Sequence, residues 1–263
     1  MIKRGFGVAA GLDSEVATRL AARCDELGYT SMWSNDHPGA LGLETLAHFA
    51  EGTDRLDLGV AVMALDRHDP IEINQTIERL GLDRERLWLG VGAGFGEKPL
   101  TRMRESLPEL REKLPGVRLV LAAMGSKMCA LAGAEFDGVF FNWMSPEFAA
   151  GAREQVHRGA EEAGREAPPI FGYVRTAVGD DAEKRLAKEE SFYRDLHDGY
   201  RNHFDRLGAP EGTVGVAAAD SGESQTALAD HHEALDVVVV RGLASASLEA
   251  MSGVAEAAAP ASA

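Results

Sequence analysis

Eight short apolar runs rich in β-branched residues, each followed by a helix-like stretch, fill this 263-residue chain from end to end. The runs are Phe6–Ala9, Ser31–Ser34, Leu56–Val62, Leu87–Val91, Arg118–Ala122, Gly138–Phe141, Ile170–Val174 and Val237–Val240. Repeated β-α steps with little chain between them select a parallel sheet, and eight of them favour closure over an open, doubly wound sheet. The expected fold is therefore α/β, a single (β/α)8 TIM barrel over 1–263, which suits the roughly 250 residues such a barrel needs. In that architecture every strand C-terminus opens on one mouth, where ligands bind. Five clusters that follow the runs should then meet in space: Asn35-Asp36-His37-Pro38, Arg67-His68-Asp69-Pro70, Gly92-Ala93-Gly94, Gly125-Ser126-Lys127 and Asn142-Trp143.

Punctuation between the runs agrees with this layout. Asp13-Ser14 caps a helix that runs through Glu26-Leu27 to a stop at Gly28. Pro70 opens a helix carrying Ile71, Ile73, Ile77 and Leu80, and Ser145-Pro146 opens another that reaches about Gly164. The stretch 175–236 is longer than one crossover needs. It holds a charged helix from about Ala182, a second over Tyr200–Leu207, and a loose Gly/Ala-rich connection with a short strand at Val214–Val216. The small-residue tail Ala255–Ala263 is expected to fray.

Charge narrows the function. A net charge of −15 argues against binding a phosphate backbone, which needs dense Lys and Arg. An anionic ligand would need a local basic patch, for which Lys98, Arg102, Lys127 and Arg175 are candidates, with a solvated helical surface as the plain alternative. The two cysteines, Cys24 and Cys129, fall on helix faces without metal-ligand spacing, so buried thiols in a reducing cytoplasm are expected rather than a disulfide. Met1-Ile2-Lys3-Arg4 leads straight into a strand, and no apolar run approaches the roughly 18 residues of a membrane span. Neither export nor membrane insertion is expected.

The clusters carry the chemistry. Asp36 and His37 follow a strand on a tightly turned loop, where a histidine oriented by a carboxylate suits proton transfer; the plain alternative is a histidine bonding the backbone of its own turn. His68 holds the equivalent place after the third strand. Gly90, Gly92 and Gly94 let backbone approach a ligand where the fourth strand ends. This is not the dinucleotide fingerprint, because position 95 is Phe. Gly5-Phe6-Gly7-Val8-Ala9-Ala10 matches the looser G-x-G-x-x-A but lacks the strand that should precede it. No Walker loop and no H-E-x-x-H motif occurs, and metal catalysis has little support. Met124-Gly125-Ser126-Lys127 starts a helix whose free N–H groups make an anion site, or simply an ordinary turn. Asn142-Trp143 brings an amide and an indole to the same mouth, facing either a ligand or the core.

Taken in order, these segments resemble the luciferase-like monooxygenase family, and within it the branch using the deazaflavin coenzyme F-420. The carriers are Leu27-Gly28-Tyr29-Thr30-Ser31-Met32-Trp33 with Asn35-Asp36-His37, Leu58-Gly59-Val60-Ala61-Val62 through Arg67-His68-Asp69-Pro70, and Leu87-Trp88-Leu89-Gly90-Val91-Gly92-Ala93-Gly94. Further carriers are Gly125-Ser126-Lys127-Met128, Asp137-Gly138-Val139-Phe140-Phe141-Asn142-Trp143 with Ser145-Pro146-Glu147, and Tyr173-Val174-Arg175 with Val178-Gly179-Asp180. The resemblance implies an oxidoreductase moving hydride between F-420 and a small organic substrate. It implies a bulge with a non-proline cis peptide in Gly59–Val62 behind the ring, and catalytic roles for Asp36 and His37. Cofactor contacts are implied at Val60, Ala61, Gly92, Ala93, Gly94, Met124, Gly125, Ser126, Lys127, Asn142 and Trp143. A homodimer is implied as well. Two other functions stay open: an FMN-dependent monooxygenase, and a non-catalytic flavin-binding or structural barrel. The second gains weight because only about 25 residues separate the fourth-strand turn from the fifth strand, where the family carries a longer insertion, so the barrel is shortened.

Overall fold

The computed structural model describes residues 3–260; Met1, Ile2 and 261–263 lie outside it. Parallel strands β1 (Lys3–Val8), β2 (Ser31–Ser34), β3 (Asp57–Ala64), β4 (Leu87–Gly92), β5 (Arg118–Ala122), β6 (Gly138–Asn142) and β7 (Ile170–Val178) pair in sequence order. A short β8 (Val216–Ala218) pairs only with the outer end of β7, and β9 (Val237–Gly242) lies between β7 and β1. The barrel closes as β1-β2-β3-β4-β5-β6-β7-β9, and the eighth sequence run is β9.

Helices α1 (Ser14–Glu26), α2 (Gly42–Gly52), α3 (Pro70–Leu80), α4 (Pro99–Lys113), α5 (Ser126–Glu135) and α6 (Pro146–Glu162) each return one strand to the next. Their ends follow local chemistry. The Asp13 carboxylate accepts from the Glu15 and Val16 N–H groups to cap α1, and Asp69 does the same for α3 ahead of Pro70. After β7 come α7 (Ala182–Leu196), α8 (Asp198–Leu207), β8, α9 (Ser221–Ala229) and a 3-10 turn at Asp230–Glu233. The final helix is α10 (Leu248–Ala257).

Inward-facing side chains fill the barrel with Trp33, Trp88, Phe140, Phe171 and Tyr173, the Trp33 ring lying 4.8 Å from Phe140 and 5.0 Å from Phe171. Glycines on neighbouring strands make room for these rings. A Cβ on Gly59 would stand 2.2 Å from Trp33, and one on Gly7 2.7 Å from Tyr173. The Gly5/Gly7 pair is therefore packing within β1, with no role as a nucleotide loop. Cys24 and Cys129 are free, buried thiols, and burial pushes Cys129 up to about 12.

The tail corrects one expectation. Through residue 260 it is docked rather than frayed: Ala255 and Ala258 are fully buried, Tyr29 Oη donates to the Ala255 carbonyl, and Arg4 donates to the carbonyls of Ala258 and Ala259. Residues 261–263 of that expectation lie outside the described part.

Candidate active site

Two loops meet on the β2–β3 side of the mouth. The Asp36 side chain is fully buried, and its Oδ1 accepts the Gly42 N–H at 3.0 Å, closing the first turn of α2. Its Oδ2 faces His68 Nε2 at 2.7 Å and accepts from Arg67 at 3.2 Å. The carboxylate thus favours the tautomer in which Nε2 carries the proton, leaving Nδ1 with its lone pair. His37, half-buried, sits differently: its Nδ1 accepts the Gly39 N–H at 3.1 Å, and its backbone pairs with Ala40 across the turn. The neighbouring carboxylate orients His68 and not His37. Asn35 Oδ1 accepts the Ala10 N–H, tying the loop after β1 to the loop after β2.

The β3 edge bulges beside this pair. The register with β4 shifts between Val60 and Met63, and the Ala61–Val62 peptide is cis, inside the Gly59–Val62 segment singled out from sequence. The glycines of β4 answer this shape individually. A Cβ on Gly90 would meet the Val60 carbonyl at 2.4 Å. Gly94 has φ +71° and would place a Cβ about on top of the Asp66 carboxylate, which accepts the Phe95 N–H and pins the β4 loop to the β3 loop. Gly92 is the freer one, with Val62 at 3.2 Å and Ala122 at 3.7 Å. Ala61, Gly92 and Ala122, with the half-buried Val62 side chain at their edge, therefore give this side of the mouth a floor of small residues. Ala93 is buried, and its carbonyl accepts from Arg102.

At the β5 end Met124 is half-buried, while Gly125, Ser126 and Lys127 are exposed. A Cβ on Gly125 would meet nothing within 4 Å, and no side chain caps α5. Its first N–H groups stay open to an anion.

The opposite side is built by β6, β7 and the α7–α8 pair. Trp143 is buried with φ +55°, packed with Leu186, Phe204 and Val214, and His203 Nε2 donates to its carbonyl at 2.6 Å. It lines the underside of α7–α8 and not the open floor. Asn142 accepts from Arg175 and lies 3.5 Å from Tyr200 Oη. Glu190, fully buried on α7, pairs with Arg194 at 2.7 Å and accepts the Val214 N–H. Phe95 from the β4 loop stacks on His197, where α7 meets α8, with ring centroids 4.4 Å apart. The 175–236 elaboration thus reaches across to the β4 loop. Of the four basic residues read as a patch, Arg175 leaves the group: it is buried, not exposed with Lys98 and Lys127. Among the described residues no His, Cys, Asp and Glu group is arranged to hold a metal, and no helix is long and apolar enough to cross a membrane.

A closed parallel α/β barrel, with a bulged third strand and a polar mouth at the strand C-termini, defines the structural class. Within it, residues 5–115 and 107–254 match the model of the luciferase-like monooxygenase family, and the chain belongs to that family. The chain is similar to 5,10-methylenetetrahydromethanopterin reductase of Methanolobus tindarius, 26% identical over 201 residues, which are 62% of this chain and 62% of that relative's length. Its fold resembles that of an F-420-dependent secondary alcohol dehydrogenase in complex with an F-420–acetone adduct. The TM-score is 0.75, with 16% identity and coverage of 98% of this chain and 99% of that one. It also resembles the oxygenating constituent of 3,6-diketocamphane monooxygenase from Pseudomonas putida in complex with FMN. There the TM-score is 0.69, with 15% identity and coverage of 99% and 98%.

Proposed function

We propose that this protein is an oxidoreductase that moves hydride between coenzyme F-420 and a small organic substrate at the barrel mouth. The observation that carries the proposal is one juxtaposition: a floor of small residues over bulged β3 and β4, directly beside the buried Asp36–His68 pair. The floor of Ala61, Gly92 and Ala122 fits a flat ring, with Val60 and Ala93 offering only backbone to it, since the Val60 side chain packs against Gly42 of α2. The uncapped start of α5 at Gly125-Ser126-Lys127 and neighbouring Met124 fit the anionic end of such a cofactor. Gly94 holds the β4 edge, and Asn142 and Trp143 bound the far side. When bound, the deazaflavin supplies a carbon that gives or takes hydride.

The residues divide the remaining work. Asp36 fixes the ring and tautomer of His68, whose Nδ1 is then the lone pair available to hold a substrate proton. His37, the histidine singled out from sequence, keeps its proton on Nε2 because Nδ1 accepts from Gly39, so it presents a donor at the lip. We assign His68 the proton transfer and His37 a ligand contact. The α7–α8 cap, joined to the β4 loop by Phe95 and His197, limits water at the mouth. The two buried thiols suit a reducing cytoplasm, and the family resemblance favours a homodimer, which light scattering tests. Fluorescence titration with F-420 and with FMN tests the function. Preference for F-420 supports it, preference for FMN favours a monooxygenase, and binding of neither favours a barrel without this chemistry.

A further inference from the structure

We propose that Arg175 and Arg241 form a receiving site for an oxyanionic group, a carboxylate or phosphate, on the substrate. The inference rests on the functional reading above and names the substrate class for the same mouth.

Alternation along the strands places both guanidinium groups inside the barrel. Phe171 and Tyr173 on β7 and Val237 and Val239 on β9 all belong to the inner core, so Arg175 and Arg241 point inward one layer nearer the mouth. The two are direct register partners across the β7–β9 pairing. They are only 2% and 7% exposed, and among the described residues neither forms an ion pair with a carboxylate. The buried carboxylates are matched by cations, Asp36 by Arg67 and His68 and Glu190 by Arg194, and the buried Arg4, which also lacks a carboxylate, is held by three neutral acceptors, Gln225 and two carbonyls. Arg175 has only Asn142 as a hydrogen-bond acceptor and lies 4.0 Å above the Trp143 ring; its Nε has no partner. The Arg241 guanidinium hydrogen-bonds to no described residue. The buried Tyr173 hydroxyl beneath them is also unpartnered, and burial pushes it up, so it stays a donor.

Two adjacent, largely buried cations without a counter-charge are destabilising unless a ligand supplies one. This chain carries 42 acidic residues against 27 basic ones and still leaves the pair unmatched. An oxyanion fits both guanidinium groups and the phenol. The position also separates substrate from cofactor. In the closed order, β7 lies across the barrel from β3 and β9 across from β4. A ring on the β3–β4 floor would thus face an anchor on the far wall, with the reacting part of the substrate between them.

The test uses inorganic phosphate as the probe, against sodium chloride of equal ionic strength, with Tm and tryptophan emission followed on the full chain. Wild type is expected to show saturable stabilisation and a change in emission, because Arg175 stacks on Trp143. Arg241→Met should weaken phosphate binding by about 10-fold or more, and Arg241→Lys should recover part of it. Lys127→Ala, at the start of α5, should leave the emission change intact. Arg175→Met is made alongside, with circular dichroism reporting whether it folds; Arg241→Met decides if it does not. Unchanged phosphate binding in Arg241→Met overturns the site. F-420 titrations of the same variants keep the two proposals apart. Coenzyme affinity within about 3-fold of wild type supports a substrate anchor, and a parallel loss in coenzyme affinity overturns it in favour of a cofactor contact. Phosphate binding at the pair in a protein that binds no coenzyme would uphold the oxyanion site and sink the hydride-transfer reading.

Discussion

Replacing Asp36 by Asn removes one charge and almost no volume, so its effects report on the hydrogen-bond logic of the mouth. Asn can keep its oxygen on the Gly42 N–H, but its amide NH2 then faces His68 Nε2 and the Arg67 guanidinium, donor against donor. Losing a buried charge-assisted bond to His68 costs about 1.5–3 kcal/mol. The half-exposed Arg67 pair adds less than about 1 kcal/mol. Removing an anion from the start of α2 adds about 0.3–1 kcal/mol. The sum is about 2–5 kcal/mol, or a fall of about 4–20 °C in Tm for a chain of this size. His68 escapes the clash by moving its proton to Nδ1, which removes the lone pair assigned to the substrate proton. Nitrogen-15 NMR of the ring should therefore show the proton on Nε2 in wild type and on Nδ1 in Asp36→Asn. Turnover of any substrate the wild type accepts should fall by about 10²-fold or more. An unchanged His68 tautomer together with near-wild-type turnover would refute this account of the dyad.

Two further predictions concern histidines. His68→Ala should lower turnover by about 10²-fold, and His37→Ala by less than about 10-fold, with both folded by circular dichroism; the reverse ranking returns the catalytic role to His37. His231 and His232, beside β9, are pushed down to about 4, chiefly by burial, from the ordinary 6.5. The unfolded chain then binds more protons between those values, so their contribution to stability is complete above 6.5 and is lost as pH falls toward about 4. Tm should drop over that window, and less steeply in His231→Gln; an equal drop in both would show that other groups control acid sensitivity.

Strand existence was legible from the β-branched runs, because a parallel sheet buried on both faces demands them. The ends were less so. β7 continues past Val174 to Val178 because Arg175 is drawn inside the mouth and the strand then pairs with β8, a tertiary effect that a charged residue disguises as a strand end. The expected strand at Val214–Val216 forms two residues later for the same reason: its partner is the tip of β7. Residues 255–260 looked loose because the groups that fix them, Tyr29, Arg4 and Gln225, are distant in sequence. At the site, the segment for the β3 bulge was visible as a motif, whereas the partner of Asp36 was not, since sequence adjacency to His37 says nothing about where the β3 loop folds back. Arg241 was missed, although an arginine closing the run Val237-Val238-Val239-Val240 was its signal.

Parallel titration of the purified protein with F-420 and FMN decides whether the mouth seats a deazaflavin. Saturable binding of both or of F-420 alone is expected, tighter for F-420. Binding should weaken with salt, because an acidic chain must hold an anionic cofactor through local groups at the start of α5. Tighter binding of FMN, or no saturable binding of either, would contradict a deazaflavin seat.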